Sequence, residues 1–118
     1  MKSSAETPSS IPIESFSASQ NIFEEGQSGL CMYIVKEGEV ELFHKGKFLA
    51  SVQKGGIFGE MALIDFLTRS ATAVAKTDCE LIPVDEKHFG RLVQETPVFA
   101  LQVMRVLVQR LRIMNDMV

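Results

Sequence analysis

The feature that most constrains the fold is a change of hydrophobic period near residue 85. Before it, short segments rich in β-branched and aromatic residues are separated by glycines, a pattern typical of strands joined by tight turns. These segments are Asn21 to Phe23, Cys31 to Lys36, Glu39 to His44, Phe48 to Val52, Ala71 to Lys76 and Cys79 to Val84. Lys45-Gly46-Lys47 predicts a hairpin turn. We therefore expect a mainly β fold over residues 13–84, an antiparallel β-roll of the jelly-roll type with roughly seven or eight strands.

After residue 85 the apolar residues recur every three or four positions, so residues 85–118 are predicted to form two C-terminal helices. Asp85 is a suitable N-cap for the first helix, and Pro97 stands at the tolerated first position of the second, expected over 97–117. The second helix carries two apolar stripes: Leu101, Met104, Leu107 or Val108, Leu111 and Met114, and Val103, Val106, Ile113 and Met117. Packing of this helix against the roll would bury only one of the two stripes. The other predicts a dimer partner or a ligand lid, and burial of both stripes in one monomer is the alternative.

Composition narrows the class of protein. With 118 residues, of which 46% are hydrophobic, the chain suits one domain, and its serine-rich residues 1–12 are expected to form a disordered tail. The net charge of −3 offers no basic surface, so no nucleic-acid partner is expected. Polar residues interrupt the last helix, so no membrane span is predicted and a cytoplasmic location is expected. Cys31 and Cys79 are expected to be reduced.

The most informative segment, which we call the cassette, covers residues 58–71. It begins Phe58-Gly59-Glu60-Met61-Ala62-Leu63 and ends, after a short apolar gap, Thr68-Arg69-Ser70-Ala71. Gly59 allows the backbone to approach a ligand closely, and the helix-forming run after it offers unpaired N–H groups to an anion. Arg69 adds a planar guanidinium group that is always charged, and Ser70 can add an N–H and a hydroxyl. The cassette therefore predicts a phosphate-binding pocket.

Glu60 makes the prediction more specific. A carboxylate repels a phosphate, so its place in such a pocket makes sense only if the ligand also carries a hydroxyl donor. A ribose 2′-OH is such a donor, and a single phosphate combined with a free sugar hydroxyl describes a 3′,5′-cyclic nucleotide. Structural alternatives stay open: Glu60 as a solvated carboxylate in a first helical turn, Arg69 as a surface arginine, and Ser70 as a strand residue.

At this point the residues resemble a known family, the cyclic-nucleotide-binding domains of the catabolite activator protein, kinase regulatory subunits and gated channels. The resemblance covers about residues 13–115. Besides the cassette, the residues that carry it are Gly26, Gly29, 32–35, 38–40, Phe89, Leu92, Pro97 and 106–111. It implies a sensor domain, which we expect to stand alone here. No nucleophile or metal set accompanies Glu60 and Arg69, so no enzyme activity is expected. The resemblance also implies ligand contacts by Phe58, Gly59, Glu60, Met61, Ala62, Arg69, Ser70 and Ala71, with backbone amides only from Met61 and Ala62. The usual proline before the arginine is Thr68 here.

The resemblance also has implications for the nucleotide base that is bound, for the binding partners and for DNA binding. It favours cyclic AMP over cyclic GMP, with Asn115 aligned to contact the base beside Met114, which replaces a polar residue. It implies that the last helix swings over the base on binding and pairs with its twin in a homodimer or meets an unidentified effector protein. No helix-turn-helix sequence follows Val118, so DNA binding is not expected. His44 and His88 lie in unrelated segments, so neither a metal nor a cofactor is expected. The competing hypothesis is a degenerate roll that binds no nucleotide and serves as a protein-interaction module.

Overall fold

The computed structural model describes residues 11–65 and 68–117, and the predicted tail lies outside them except for its last two residues. Within these residues, eight strands and three helices follow one another. They are β1 (Glu14–Phe16), β2 (Asn21–Phe23), β3 (Cys31–Glu37), β4 (Val40–His44), β5 (Lys47–Val52), β6 (Ile57–Phe58), α1 (Glu60–Asp65), β7 (Thr72–Ala75), β8 (Cys79–Asp85), α2 (Glu86–Glu95) and α3 (Val98–Asp116).

The strands form two antiparallel four-stranded sheets, in the orders β1-β8-β3-β6 and β2-β7-β4-β5. The predicted β-roll followed by C-terminal helices is thereby confirmed. Lys45 and Gly46 form the turn between β4 and β5, both with positive φ, as a two-residue hairpin requires. Strands β1 and β6 were not among the predicted segments.

The core has two parts because successive strand residues point to opposite faces of a sheet. In β3, Tyr33 and Val35 join the cluster between the two sheets, whereas Met32 and Ile34 contact the cluster beneath the helices. Cys79 is buried and Cys31 half-buried, and both are free thiols. Strand β3 therefore contributes both to the interior of the roll and to the layer beneath the helices.

The two C-terminal helices begin next to Asp85 and Pro97, and Pro97 lies just before α3 rather than in its first helical position. The Asp85 carboxylate accepts a hydrogen bond of 2.8 Å from the backbone N–H of His88, which caps α2, and Pro97 precedes α3. On α3, Val103 and Val106 belong to the cluster between the helices and the roll, while Ile113 and Met117 pack against the cluster between the two sheets. The opposite stripe is exposed and includes Leu101, Met104, Val108 and Leu111. None of the helices in the described ranges combines the length and apolar character needed to cross a membrane.

Candidate functional site

The beginning of the cassette forms a sharp corner between a buried strand and a short helix. Phe58 ends β6, is fully buried and stacks on Tyr33 with 5.3 Å between the ring centroids. Gly59 then turns the chain with a φ of 79°, a conformation that favours glycine, and α1 starts at Glu60. The corner fixes the direction in which Glu60 and the first amides of α1 leave the roll.

The end of the cassette is held by the loop after β2. The Arg69 backbone N–H donates to the Gln27 carbonyl over 2.7 Å, and the Gly26 N–H donates to the Arg69 carbonyl over 2.9 Å. These bonds replace regular strand pairing and fix the chain as it returns toward Gly59. The backbone N–H and carbonyl of Arg69 are therefore both held by hydrogen bonds, with Thr68 before it where the family usually has proline.

The Arg69 side chain is buried, with 5% exposure, and lies beside the corner. Its Nη1 donates to the Gly59 carbonyl over 3.1 Å, and its guanidinium carbon lies 4.1 Å from the centroid of the Phe23 ring. A Cβ built on Gly29 would overlap the Nε and Cζ atoms of this guanidinium. The aromatic face on one side and the small residue on the other therefore leave a narrow space that fits the planar guanidinium.

Glu60 is also buried, with 2% exposure, and its carboxylate forms an ion pair with an arginine of the last helix. Nη1 of Arg110 lies 3.6 Å from Oε1 of Glu60, and Nη2 of Arg110 donates to the Ile57 carbonyl over 3.0 Å. Burial raises the pKa of Glu60 above its ordinary value, an effect that the charge of Arg110 offsets only in part. Burial likewise lowers the pKa of Arg110, while Glu60 raises it.

Arg110 was not assigned a role from the sequence. A signal for it existed, because Val103, Val106, Arg110 and Ile113 follow one another at spacings of three and four, which places a cation within the stripe that faces the core. A buried arginine on such a stripe requires a buried acceptor or anion. The sequence did not indicate which one.

The cassette and α3 enclose a cavity inside the roll. The space that water-sized spheres can enter is about 20 Å³, and the total empty space is about 330 Å³ when open solvent at the mouth is included, so the cavity is narrow. It is lined by Phe23, Leu42, Leu49, Gly59, Glu60, Met61, Ala62, Arg69, Ser70, Ala71, Arg110 and Met114. The cavity wall is therefore apolar in part and elsewhere carries a carboxylate, two guanidinium groups and a hydroxyl.

Two polar atoms in this wall lack partners. Among the described residues, the buried side-chain polar atoms without any hydrogen-bond partner are Oε1 of Glu60 and Nε of Arg69. An unsatisfied buried polar atom costs roughly 1 to 3 kcal/mol, and such atoms in a stable fold call for a specific explanation. That both belong to the cavity, one an acceptor and one a donor, is consistent with a ligand that carries a donor and an anionic acceptor.

The remaining predicted site residues divide into two groups. Ser70 lies in the cavity wall, where its hydroxyl donates over 3.2 Å to the thioether of Met61, a weak acceptor that a phosphate oxygen could replace. Ala62 and Ala71 line the cavity as well. Phe58 lies in the core and is not part of the lining, and Asn115 is exposed on α3, where Met114 instead reaches the cavity.

The structure is an antiparallel roll followed by C-terminal helices, and its internal cavity is lined by both acidic and basic side chains. This combination is typical of a small-molecule binding domain. Residues 13–96 match the cyclic nucleotide-binding domain family, and the chain belongs to that family. It is 38% identical over 96 residues to the cyclic AMP receptor protein of Thermus thermophilus, an alignment covering 77% of this chain and 44% of the relative.

Solved structures agree with this assignment. The crystal structure of the Thermus thermophilus catabolite activator protein superimposes with a TM-score of 0.76 at 34% identity, covering 89% of this chain and 52% of the other. The cAMP-bound structure of PfPKA-R (141–441) superimposes with a TM-score of 0.81 at 26% identity, covering 91% and 37%. The chain thus spans about half the length, or less, of these relatives.

Proposed function

We propose that this domain binds a 3′,5′-cyclic nucleotide, with cyclic AMP preferred, in the cavity between Glu60 and Arg69. The observation that supports the proposal most strongly is the pair of buried polar atoms without a hydrogen-bond partner, one on each of these side chains. A cyclic nucleotide supplies what each lacks: a phosphate oxygen for the guanidinium and a sugar hydroxyl for the carboxylate. The family membership and the cyclic AMP receptor relative agree with it.

The phosphate is bound by Arg69 and Ser70 together with the amides at the start of α1. The guanidinium already has a fixed plane, so little side-chain entropy is lost when it pairs with two phosphate oxygens. The Ser70 hydroxyl exchanges its thioether partner for a charged oxygen, which forms a stronger hydrogen bond. Met61 and Ala62 contribute their backbone N–H groups.

The sugar is bound by Glu60. Its carboxylate must be ionised to accept the hydroxyl, and Arg110 is the group that stabilises this state inside the protein. The same arginine belongs to α3, so the ligand and the helix share one carboxylate. Ligand binding at Glu60 therefore changes the interactions that hold α3 in place.

This shared contact supports a sensor role in which binding shifts the position of α3. Arg110 and Met114 extend from α3 into the cavity, while Leu101, Met104, Val108 and Leu111 expose an apolar stripe on its outer side. A movement of α3 would be read out by whatever contacts this stripe, either a second copy of the chain or an effector protein. Asn115 reaches the base only if α3 moves, since it now faces outward.

The preference for cyclic AMP follows from the apolar wall. Leu42, Leu49 and Met114 offer neither a donor nor an acceptor to the ring carbonyl and amino group of guanine. Ser70 suits both bases and does not discriminate between them. Desolvating the more polar guanine edge against this wall is the less favourable alternative.

Isothermal titration calorimetry with cyclic AMP, cyclic GMP and 5′-AMP tests the proposal. At about 0.3 kcal/mol for each of its roughly twenty non-hydrogen atoms, cyclic AMP should bind with a Kd on the order of 10 µM. Cyclic GMP should bind more weakly, and 5′-AMP should bind weakest because its second negative charge lies close to Glu60. No heat with any of the three would favour the protein-interaction module instead.

A further inference from the structure

The imidazole of His44 contacts the cassette from outside the cavity. His44 ends β4, and its Nδ1 lies 2.8 Å from the Ser70 carbonyl oxygen and 3.5 Å from Oε2 of Glu25. Both neighbours are hydrogen-bond acceptors, so Nδ1 carries the proton and donates to Ser70.

The imidazole is held in this position by its surroundings. Glu25 Oε1 accepts a hydrogen bond of 2.9 Å from the Lys45 backbone N–H, and the Glu25 backbone N–H donates over 3.0 Å to the hydroxyl of Thr72. Glu25 thus links the β4–β5 hairpin to the strand that follows the cassette. His44 lies between these two connections, with a side chain that is 19% exposed.

The bond from His44 determines how Ser70 is oriented. On the preceding side, the Gly26 N–H fixes the Arg69 carbonyl, and because the C=O and N–H of a trans peptide point in opposite directions, this also fixes the Ser70 N–H. On the following side, His44 fixes the Ser70 carbonyl and thereby the plane of the next peptide. Both peptide planes that flank Ser70 are therefore anchored, which limits the directions its N–H and hydroxyl can take.

We propose that His44 is a positioning residue for anion capture by the cassette. It does not line the cavity and touches no part of the ligand in the proposed binding mode. Its effect passes through Ser70, whose donors must face the phosphate without a costly rearrangement on binding. The proposal rests on the proposed cyclic-nucleotide function of the same site.

Three substitutions at His44 test this role by calorimetric titration with cyclic AMP. The amide nitrogen of Asn occupies nearly the place of Nδ1, whereas that of Gln lies nearer to the place of Nε2, so only Asn can restore the bond to Ser70. His44→Ala should weaken binding about tenfold, the amount expected for one hydrogen bond in a protein. His44→Asn should recover most of the lost affinity, and His44→Gln should resemble His44→Ala. Thermal unfolding midpoints of all three variants control for stability.

Two results would overturn the inference while leaving the proposed function intact. One is cyclic AMP affinity in His44→Ala within twofold of the unaltered protein. The other is an equal loss in the Ala, Asn and Gln variants, because packing alone does not distinguish the two amides. If the unaltered protein does not bind cyclic AMP, the proposed function fails and this inference fails with it. Should His44→Ala not fold, the contrast between Asn and Gln still decides.

Discussion

Oε1 of Glu60, at the start of α1, lies 3.6 Å from Nη1 of Arg110 on the last helix, and both side chains are buried. This ion pair joins the cavity wall to the one helix that also exposes an apolar stripe. Replacing a buried ion pair as a whole is often tolerated, whereas removing one partner leaves an unpaired charge in the interior. The pair therefore makes the carboxylate of the site dependent on the position of α3.

Arg110→Met should destabilise the fold by about 3 kcal/mol, since it keeps the aliphatic length of the side chain but leaves the Glu60 carboxylate without its cation. The double variant Glu60→Gln/Arg110→Met should recover a large part of that loss. Urea unfolding of the two single variants, the double variant and the unaltered protein measures the coupling. Strictly additive free energies would show that the two side chains do not interact.

The pH dependence of binding should report Glu60. Burial raises its pKa in the folded protein, so its contribution to stability is greatest below the unfolded pKa and is lost as the pH rises through the folded pKa. The pH dependence of ligand binding has the opposite sign to that of stability, because the sugar hydroxyl donates to the ionised form of the carboxylate. Cyclic AMP affinity should therefore fall as the pH decreases through the raised pKa.

Calorimetric titrations between about pH 5 and pH 8 would follow this effect, with Glu60→Gln as the matched control. The amide cannot ionise, so its variant should bind more weakly at neutral pH and show little pH dependence over the acidic range. The same acidic decline in both proteins would assign the titration to another group.

Arg69→Ala should weaken cyclic AMP binding by about 100-fold, equivalent to near 3 kcal/mol, because the phosphate loses the only cationic donor that the cassette provides. Arg69→Lys should recover only part of this, since an ammonium cannot match the fork that lies on Phe23. Arg91→Ala, on the exposed surface of α2, provides the control for overall charge. Equal affinities for the Arg69 and Arg91 variants would exclude the phosphate role.

Gly29→Ala should reduce cyclic AMP affinity at least tenfold by displacing the Arg69 guanidinium, whose Nε and Cζ occupy the space of the new methyl group. Gly90→Ala is the matched control because no atom lies within 4 Å of a Cβ at that position in α2. It should stabilise the protein by about 0.5 to 1 kcal/mol through helix propensity and leave affinity unchanged. Unchanged affinity in Gly29→Ala would show that the arginine tolerates displacement.

The exposed stripe of α3 should mediate self-association. Val108→Glu and Leu111→Glu each place a charge in its centre and should shift sedimentation from dimer toward monomer. Gln102→Glu adds the same charge at an exposed polar position of α3 and should not. A monomeric unaltered protein, with and without cyclic AMP, would leave the stripe to an effector protein.

Local sequence patterns predicted much of this structure, namely β2, β3, β4, β5, β7 and β8, the hairpin at Gly46 and the cap at Asp85. Strands β1 and β6 have three and two residues, no more than the short β2, and they pair with β8 and β3, respectively. Their existence depends on tertiary pairing. It could not be predicted from the residues themselves.

The site was predicted where its residues are adjacent in sequence and was incomplete where they are not. Glu60 and Arg69 belong to one short segment, so their chemistry could be interpreted together. Arg110 and His44 reach the same place only through the path of α3 across the roll and the register of β4 beside β7. Long-range packing of this kind determines which buried arginine meets which carboxylate, and a single sequence does not specify it.

A crystal structure of the protein grown with saturating cyclic AMP tests the central claim most directly. We predict electron density for the nucleotide inside the roll, with phosphate oxygens within hydrogen-bond distance of Arg69 and Ser70 and the 2′-hydroxyl on Glu60. A vacant cavity, or a nucleotide bound elsewhere while Nη1 of Arg69 still donates only to the Gly59 carbonyl, would contradict it.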